Sequence, residues 1–140
     1  MFHKILVAYD GSEGSKKALR TAIHLAHLSH GQLHSISVEE DLPKYVGTIG
    51  EFVEFKRERD KFFDTLIQEA TEEADRQGVT IHSQVLAGHE VETIVNYARD
   101  GKFDLLVIGF AGHSNIFGRI WGSTSQTLTR LSPCTVMVVR

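Results

Sequence analysis

Cysteine, proline and basic charge are all scarce in this 140-residue chain, and each shortage excludes something. Cys134 is the only cysteine, so no disulfide closes within the chain, and a reducing cytosol is the expected compartment. There are only two prolines: Pro43 falls in a loop stretch, and Pro133 stands where a helix must stop. Lysine and arginine number 15 against 18 aspartates and glutamates, giving a net charge of −3. No basic field therefore draws in nucleic acid or an anionic membrane surface. No apolar run approaches the roughly 20 residues needed to span a bilayer. Met1-Phe2-His3-Lys4 leads straight into a strand-like segment without the charged, apolar and small-residue blocks of a signal peptide, so the expected location is cytoplasmic. Two nucleotide signatures are missing as well. There is no G-x-x-x-x-G-K-[ST] and no G-x-G-x-x-G after the first strand.

What is present is ordinary for a globular protein: 41% apolar and 24% charged residues. The length predicts one domain over 1–140, large enough to bury roughly 70% of its unfolded surface. Ile5 to Tyr9 is a short apolar run closed by Asp10-Gly11-Ser12, the pattern of a strand buried on both faces. Apolar residues at 18, 19, 22, 23 and 26 form a helical stripe, which Gly31 is expected to stop. Leu33 to Val38 reads as a second strand, and Glu39 to Gly50 as a loop. A longer helix carries Phe55, Phe62, Phe63, Leu66, Ile67, Ala70 and Ala74 on one face and closes at Gln77-Gly78. Ile81 to Leu86, Leu105 to Ile108 and Thr135 to Val139 are the remaining strands. Helices marked by Val91, Ile94, Val95 and Ala98, and then by Ser123 to Leu131, separate them. Strict alternation predicts an α/β fold: a three-layer, doubly wound parallel sheet of five strands with helices on both faces.

In such a sheet, ligands bind beyond the carboxyl ends of the strands, where strand order reverses. For the order 3-2-1-4-5 that place lies between strands 1 and 4. The segments leaving those strands are Asp10-Gly11-Ser12 and Gly109-Phe110-Ala111-Gly112. Nine residues separate Gly112 from Gly122, and Ser123, Thr124 and Ser125 then open the last helix. Glycines let backbone approach a ligand closely, and a helix N-terminus with hydroxyls beside it suits phosphate. Each feature alone also has a structural reading, as a turn glycine or a serine cap.

These residues carry a resemblance. The opening Ile5-Leu6-Val7-Ala8-Tyr9-Asp10-Gly11-Ser12 is similar to the first strand and turn of the universal stress proteins. Gly109-x2-Gly112-x9-Gly122-Ser123 matches that family's ATP motif, G-x2-G-x9-G-[ST], and Pro133 to Arg140 resembles its last strand. The resemblance implies strand order 3-2-1-4-5 and ATP (or AMP or ADP) in the crevice between strands 1 and 4, with Mg or Mn accompanying it. It implies Asp10 at the adenosine, with backbone of Ala8 and Tyr9 beside it, Val38 against adenine, and Ile108 and Gly109 flanking the nucleoside. Gly112, Gly122, Ser123, Thr124 and Ser125 would take the phosphates. A homodimer paired through the last strand, 135–139, is also implied. The chain differs from the common family pattern at His113, Asn115, Gly118 and Thr135.

Other residues admit two readings. His113 sits in the phosphate loop and either contacts phosphate or water or is an exposed loop histidine. Asp10 either contacts ligand or only caps its own turn. His24, His27 and His30 fall opposite the apolar stripe and read as solvated, so no metal ligands are assigned to protein side chains. Phe52, Phe55, Phe62 and Phe63 read as core, the mixed charges of Glu51 to Arg59 as a solvated helical face, and Cys134 as an inert buried thiol. The functional expectation is a nucleotide-binding regulatory or stress-response module. The alternatives are a slow metal-dependent ATPase using His113 and Asp10, or a nucleotide-free scaffold. A phospho-receiver is excluded, because strand 3 ends Leu86-Ala87-Gly88 and strand 5 has no lysine.

Overall fold

The computed structural model describes residues 1–40, 47–110 and 123–140. The order of elements is β1 (Lys4–Ala8), α1 (Glu13–Ser29), β2 (Gln32–Glu39), α2 (Ile49–Arg76), β3 (Ile81–Ala87), α3 (Glu90–Asp100), β4 (Leu105–Gly109), α4 (Ser123–Leu131) and β5 (Thr135–Val139). All pairings are parallel, in the order β3-β2-β1-β4-β5. The predicted fold class and strand order are therefore observed. Register runs Ile5↔Leu33 on one side of β1 and Ile5↔Leu105 on the other.

The apolar strand runs are explained by burial on both faces. Ile5, Val7, Leu33, Leu105 and Val107 point to the layer holding α1 and α2. Leu6, Ile36, Leu106 and Ile108 point to the layer holding α3 and α4. Alternation along a strand sends neighbours to opposite layers, so a strand covered on both sides must be apolar throughout. Half-buried and apolar, β5 lies at the edge of the sheet.

Three expectations are corrected. Glu39 belongs to β2, and the helix after the loop begins at Ile49, because the Thr48 hydroxyl accepts from the Glu51 amide and caps the new helix. Helix α1 ends on His30 rather than on Gly31: His30 itself takes the left-handed conformation, φ 56°. Of the phenylalanines assigned to the core, Phe63 is buried and Phe55 half-buried, but Phe52 and Phe62 are 42% and 49% exposed. Phe62, next to the buried Phe63, sits at the margin of the stripe formed by Phe63, Leu66, Ala70 and Ala74; for Phe52 the reason is length. Twenty-eight residues of helix span about 42 Å, while the eight residues of β2 span about 26 Å, so the start of α2 runs past the sheet that would cover it. Ile49 and Val53, at 85% and 48% exposure, lie on the same overhang.

His24, His27 and His30 are exposed, as expected. At the opposite end of the sheet from the overhang, His34 and His82 are register partners whose rings stand 4.9 Å apart. Phe103 meets His34 edge-on, and the Lys4 ammonium lies over the Phe103 ring. Burial, then His82 and Lys4, hold the His34 pKa below its ordinary value of 6.5. The folded protein thus binds fewer protons at His34 than the unfolded chain does. The contribution of the neutral ring is complete above 6.5 and is lost as pH falls through that value toward the lowered one. Urea midpoints are expected to drop on acidification across that window, and less so in His34→Gln. An equal drop in both proteins would assign the effect to other groups.

Candidate functional site

Strand order reverses between β1 and β4, and the chain leaves those two strands in opposite directions. On the β1 side, the turn is held by its own side chains. The Ser12 amide donates to the Asp10 carboxylate at 2.8 Å, and the Asp10 amide donates to the Ser15 hydroxyl at 3.3 Å. That hydroxyl donates in turn to the Ser12 carbonyl at 3.0 Å, while the Ser15 amide donates to the Ser12 side chain at 3.2 Å, capping α1. Gly11 has φ +83°, and a Cβ there would sit 2.8 Å from Leu66 Cδ2. The turn-former reading of Asp10 is thus observed. Its carboxylate stays at the mouth, half-buried.

Both chain reversals meet at Gly109. A Cβ on Gly109 would lie 2.6 Å from the Gly14 carbonyl carbon and 3.0 Å from the Ser15 amide nitrogen. The end of β4 therefore rests directly on the first turn of α1. The Ser125 hydroxyl donates to the Gly109 carbonyl at 2.9 Å, which ties the N-terminal turn of α4 to the same point. The first turns of two helices, α1 and α4, thus both touch the end of β4. The Phe110 amide continues the β4–β5 ladder to the Val139 carbonyl, and the Arg140 guanidinium lies 4.7 Å above the Phe110 ring.

The other expected residues are distributed as follows. Tyr9 donates its amide to the Ile36 carbonyl and receives the Ser37 hydroxyl on its own carbonyl at 2.7 Å. Its ring turns away toward α2, where the phenol donates to Glu69 at 2.8 Å. Burial, followed by the Glu69 hydrogen bond and the charges of Glu69, Asp10 and Glu73, pushes its ionisation far above the usual phenol range. Tyr9 is therefore a neutral donor throughout the physiological range. Ala8, Val38 and Ile108 lie at the carboxyl ends of β1, β2 and β4 and pack into the α3–α4 layer. Ser123 is exposed and Thr124 half-buried at the start of α4, whereas Ser125 is buried with its hydroxyl proton on Gly109. Gly112, His113 and Gly122 lie outside the described residues.

Sequence reasoning passed over Ser15, Ser37 and Arg59. The serine three residues after Ser12 is the available signal for Ser15. Nothing in the local pattern marks Ser37, whose role depends on a neighbouring strand. Arg59 lies on α2 and reaches back to the end of β2: its Nε stands 3.6 Å from the Glu39 carboxylate, and its Nη2 donates to the Glu40 carbonyl at 2.6 Å. It is not part of a solvated face. Among the described residues, no three histidine, cysteine, aspartate or glutamate side chains converge to hold a metal ion, and no helix is long and apolar enough to cross a membrane.

Comparison with known proteins identifies the family of this fold. Universal stress protein YxiE of Bacillus subtilis is 31% identical over 148 residues, covering the whole of both chains. The solved universal stress protein UspA from Lactobacillus plantarum superposes with a TM-score of 0.84 at 21% identity, covering 100% of this chain and 99% of the other. A universal stress protein solved in complex with cAMP superposes with a TM-score of 0.75 at 26% identity, covering 99% and 97%. The model of the Universal stress protein family matches residues 1–140, and the chain belongs to that family.

Proposed function

We propose that the protein binds an adenine nucleotide, ATP in the first instance, at the mouth between β1 and β4, and serves as a nucleotide-responsive module in a stress response. One observation carries this reading. The end of β4, the first turn of α1 and the first turn of α4 share one point of contact at Gly109, where strand order reverses. Two helix starts gather at that point, and helix starts at the carboxyl edge of such a sheet favour a phosphate chain. The cAMP held by a family member at 26% identity supports the adenine part of the reading.

In this assignment Asp10 accepts from the ribose hydroxyls, and backbone of Ala8, Tyr9, Ile108 and Gly109 flanks the nucleoside. Val38 lies against the base. Ser123 and Thr124, with Gly112, His113 and Gly122 of the motif, serve the phosphates. Ser125 acts by holding α4 against β4 instead of donating to ligand. A divalent cation would be carried by the phosphate oxygens.

The test is thermal unfolding with ATP, AMP, cAMP or GTP, each with magnesium or manganese. Ligand at a hundred times its Kd stabilises by about 2.7 kcal/mol, which shifts the midpoint of a chain this size by roughly 6–10 °C. A rise with adenine nucleotides exceeding that with GTP is expected. An unmoved midpoint at millimolar ATP and AMP would overturn the proposal.

A further inference from the structure

We propose that Arg59 is a positioning residue for the nucleobase end of this site: it clasps the carboxyl end of β2 to α2 and thereby sets the rim against which the base lies. The inference rests on the nucleotide reading above, which assigns Val38, the residue just before the clasped segment, to the base.

The clasp has three parts. The guanidinium Nε faces the Glu39 carboxylate at 3.6 Å, Nη2 donates to the Glu40 carbonyl at 2.6 Å, and the cation lies 5.8 Å from the centre of the Phe55 ring, one helical turn earlier on α2. The partners in the ion pair are about three-quarters buried, at 22% and 25% side-chain exposure. Among the described residues, the other ion pairs of α2, Arg57–Glu54 and Arg76–Glu73, join neighbours on the same helix. Arg59 joins two elements that are otherwise parting, since β2 ends at Glu39 while α2 continues outward.

The geometry suits arginine specifically. A planar guanidinium meets a carboxylate with one edge, a carbonyl with another and an aromatic ring with its face, whereas an ammonium is a single point. Glu39 still pairs in register with Ala87 and its carbonyl accepts from the Gly88 amide, so the rung beyond Val38 is held from both sides, by β3 and by α2. Loosening the α2 side leaves the strand end free to shift. A base lying against that strand end tolerates such a shift poorly, because a small displacement of the rim misplaces every contact along its edge.

Calorimetric titration of wild type, Arg59→Ala and Arg59→Lys with ATP, adenosine and GTP tests this. Arg59→Ala is expected to weaken ATP and adenosine by the same factor, about fivefold, and to narrow the preference for ATP over GTP. Arg59→Lys should fall between the two, keeping the Glu39 pair but losing the fork. If Arg59→Ala melts below the assay temperature, Arg59→Lys alone gives the reading through the ATP-to-GTP ratio. Unchanged ATP and adenosine affinities in Arg59→Ala, or a loss confined to ATP with adenosine unaffected, overturns the assignment while leaving the nucleotide site standing. A wild type that binds neither ATP nor adenosine overturns the site and the clasp together.

Discussion

Gly109→Ala is expected to destabilise the protein by about 2–3 kcal/mol, lowering the thermal midpoint by roughly 5–10 °C. The cost is steric. The new methyl would lie 2.6 Å from a main-chain carbon of Gly14 and 2.7 Å from its oxygen, and backbone within a helix has no rotamer with which to retreat. Either α1 tilts away from β4 or the end of β4 bends. Both responses pull the Ser125 hydrogen bond from the Gly109 carbonyl and open the point where the reversals meet. Denaturation by urea or heat measures the effect. A midpoint within a degree of wild type would mean that the end of β4 and the start of α1 do not press together, and the site as described would fail with it. Nucleotide affinity is expected to fall in the same variant, since the surviving folded population carries a displaced helix start.

Asp10→Asn separates the two roles of Asp10. The amide oxygen of asparagine still accepts from the Ser12 amide, so the turn into α1 survives and the thermal midpoint should stay within a few degrees. What is lost is the negative charge and an acceptor for ligand hydroxyls. Hydrogen bonds to charged groups contribute about 1.5–3 kcal/mol, so ATP and adenosine affinities are expected to fall by roughly ten- to a hundredfold. Calorimetry on the variant decides the matter: unchanged affinity would make Asp10 a turn-former only. Asp10→Ala, by contrast, should lose stability as well as affinity, because the Ser12 amide then loses its partner.

The sheet was legible because its strands carry their burial in their composition. Leu105 to Ile108 is apolar at every position, and every one of those side chains is buried. The place of the site followed from one general property of open parallel sheets, that the chain departs in opposite directions where order reverses. The reasons for individual residues were less visible. Gly109 reads in sequence as a site for close ligand approach, and its immediate neighbour in space is the backbone of α1. Ser125 reads as a phosphate donor, and its proton is spent on a carbonyl sixteen residues back. Both contacts join segments more than fifteen residues apart, and spacing along a chain does not encode them. Phe52 failed for a different reason. Helical periodicity states which face of α2 is apolar, but the extent of the surface beneath it is set by other strands, and Phe52 lies beyond that surface. Arg59 was hidden in a stretch whose average character is solvated.

The overhang of α2 also fixes where the protein gives way first. Arg59 marks where the helix passes the end of β2, and Ile49 stands about 15 Å further out. Among the described residues, Ile49, Phe52 and Val53 along that length stay exposed, and the contacts there include the Thr48 cap and an Arg57–Glu54 pair, with intrinsic helix preference beside them. Local opening should therefore start at Ile49 and halt at the guanidinium of Arg59, well short of Leu66 and the core. Amide protection would step upward there, making that one side chain a boundary between a fraying arm and a rigid body.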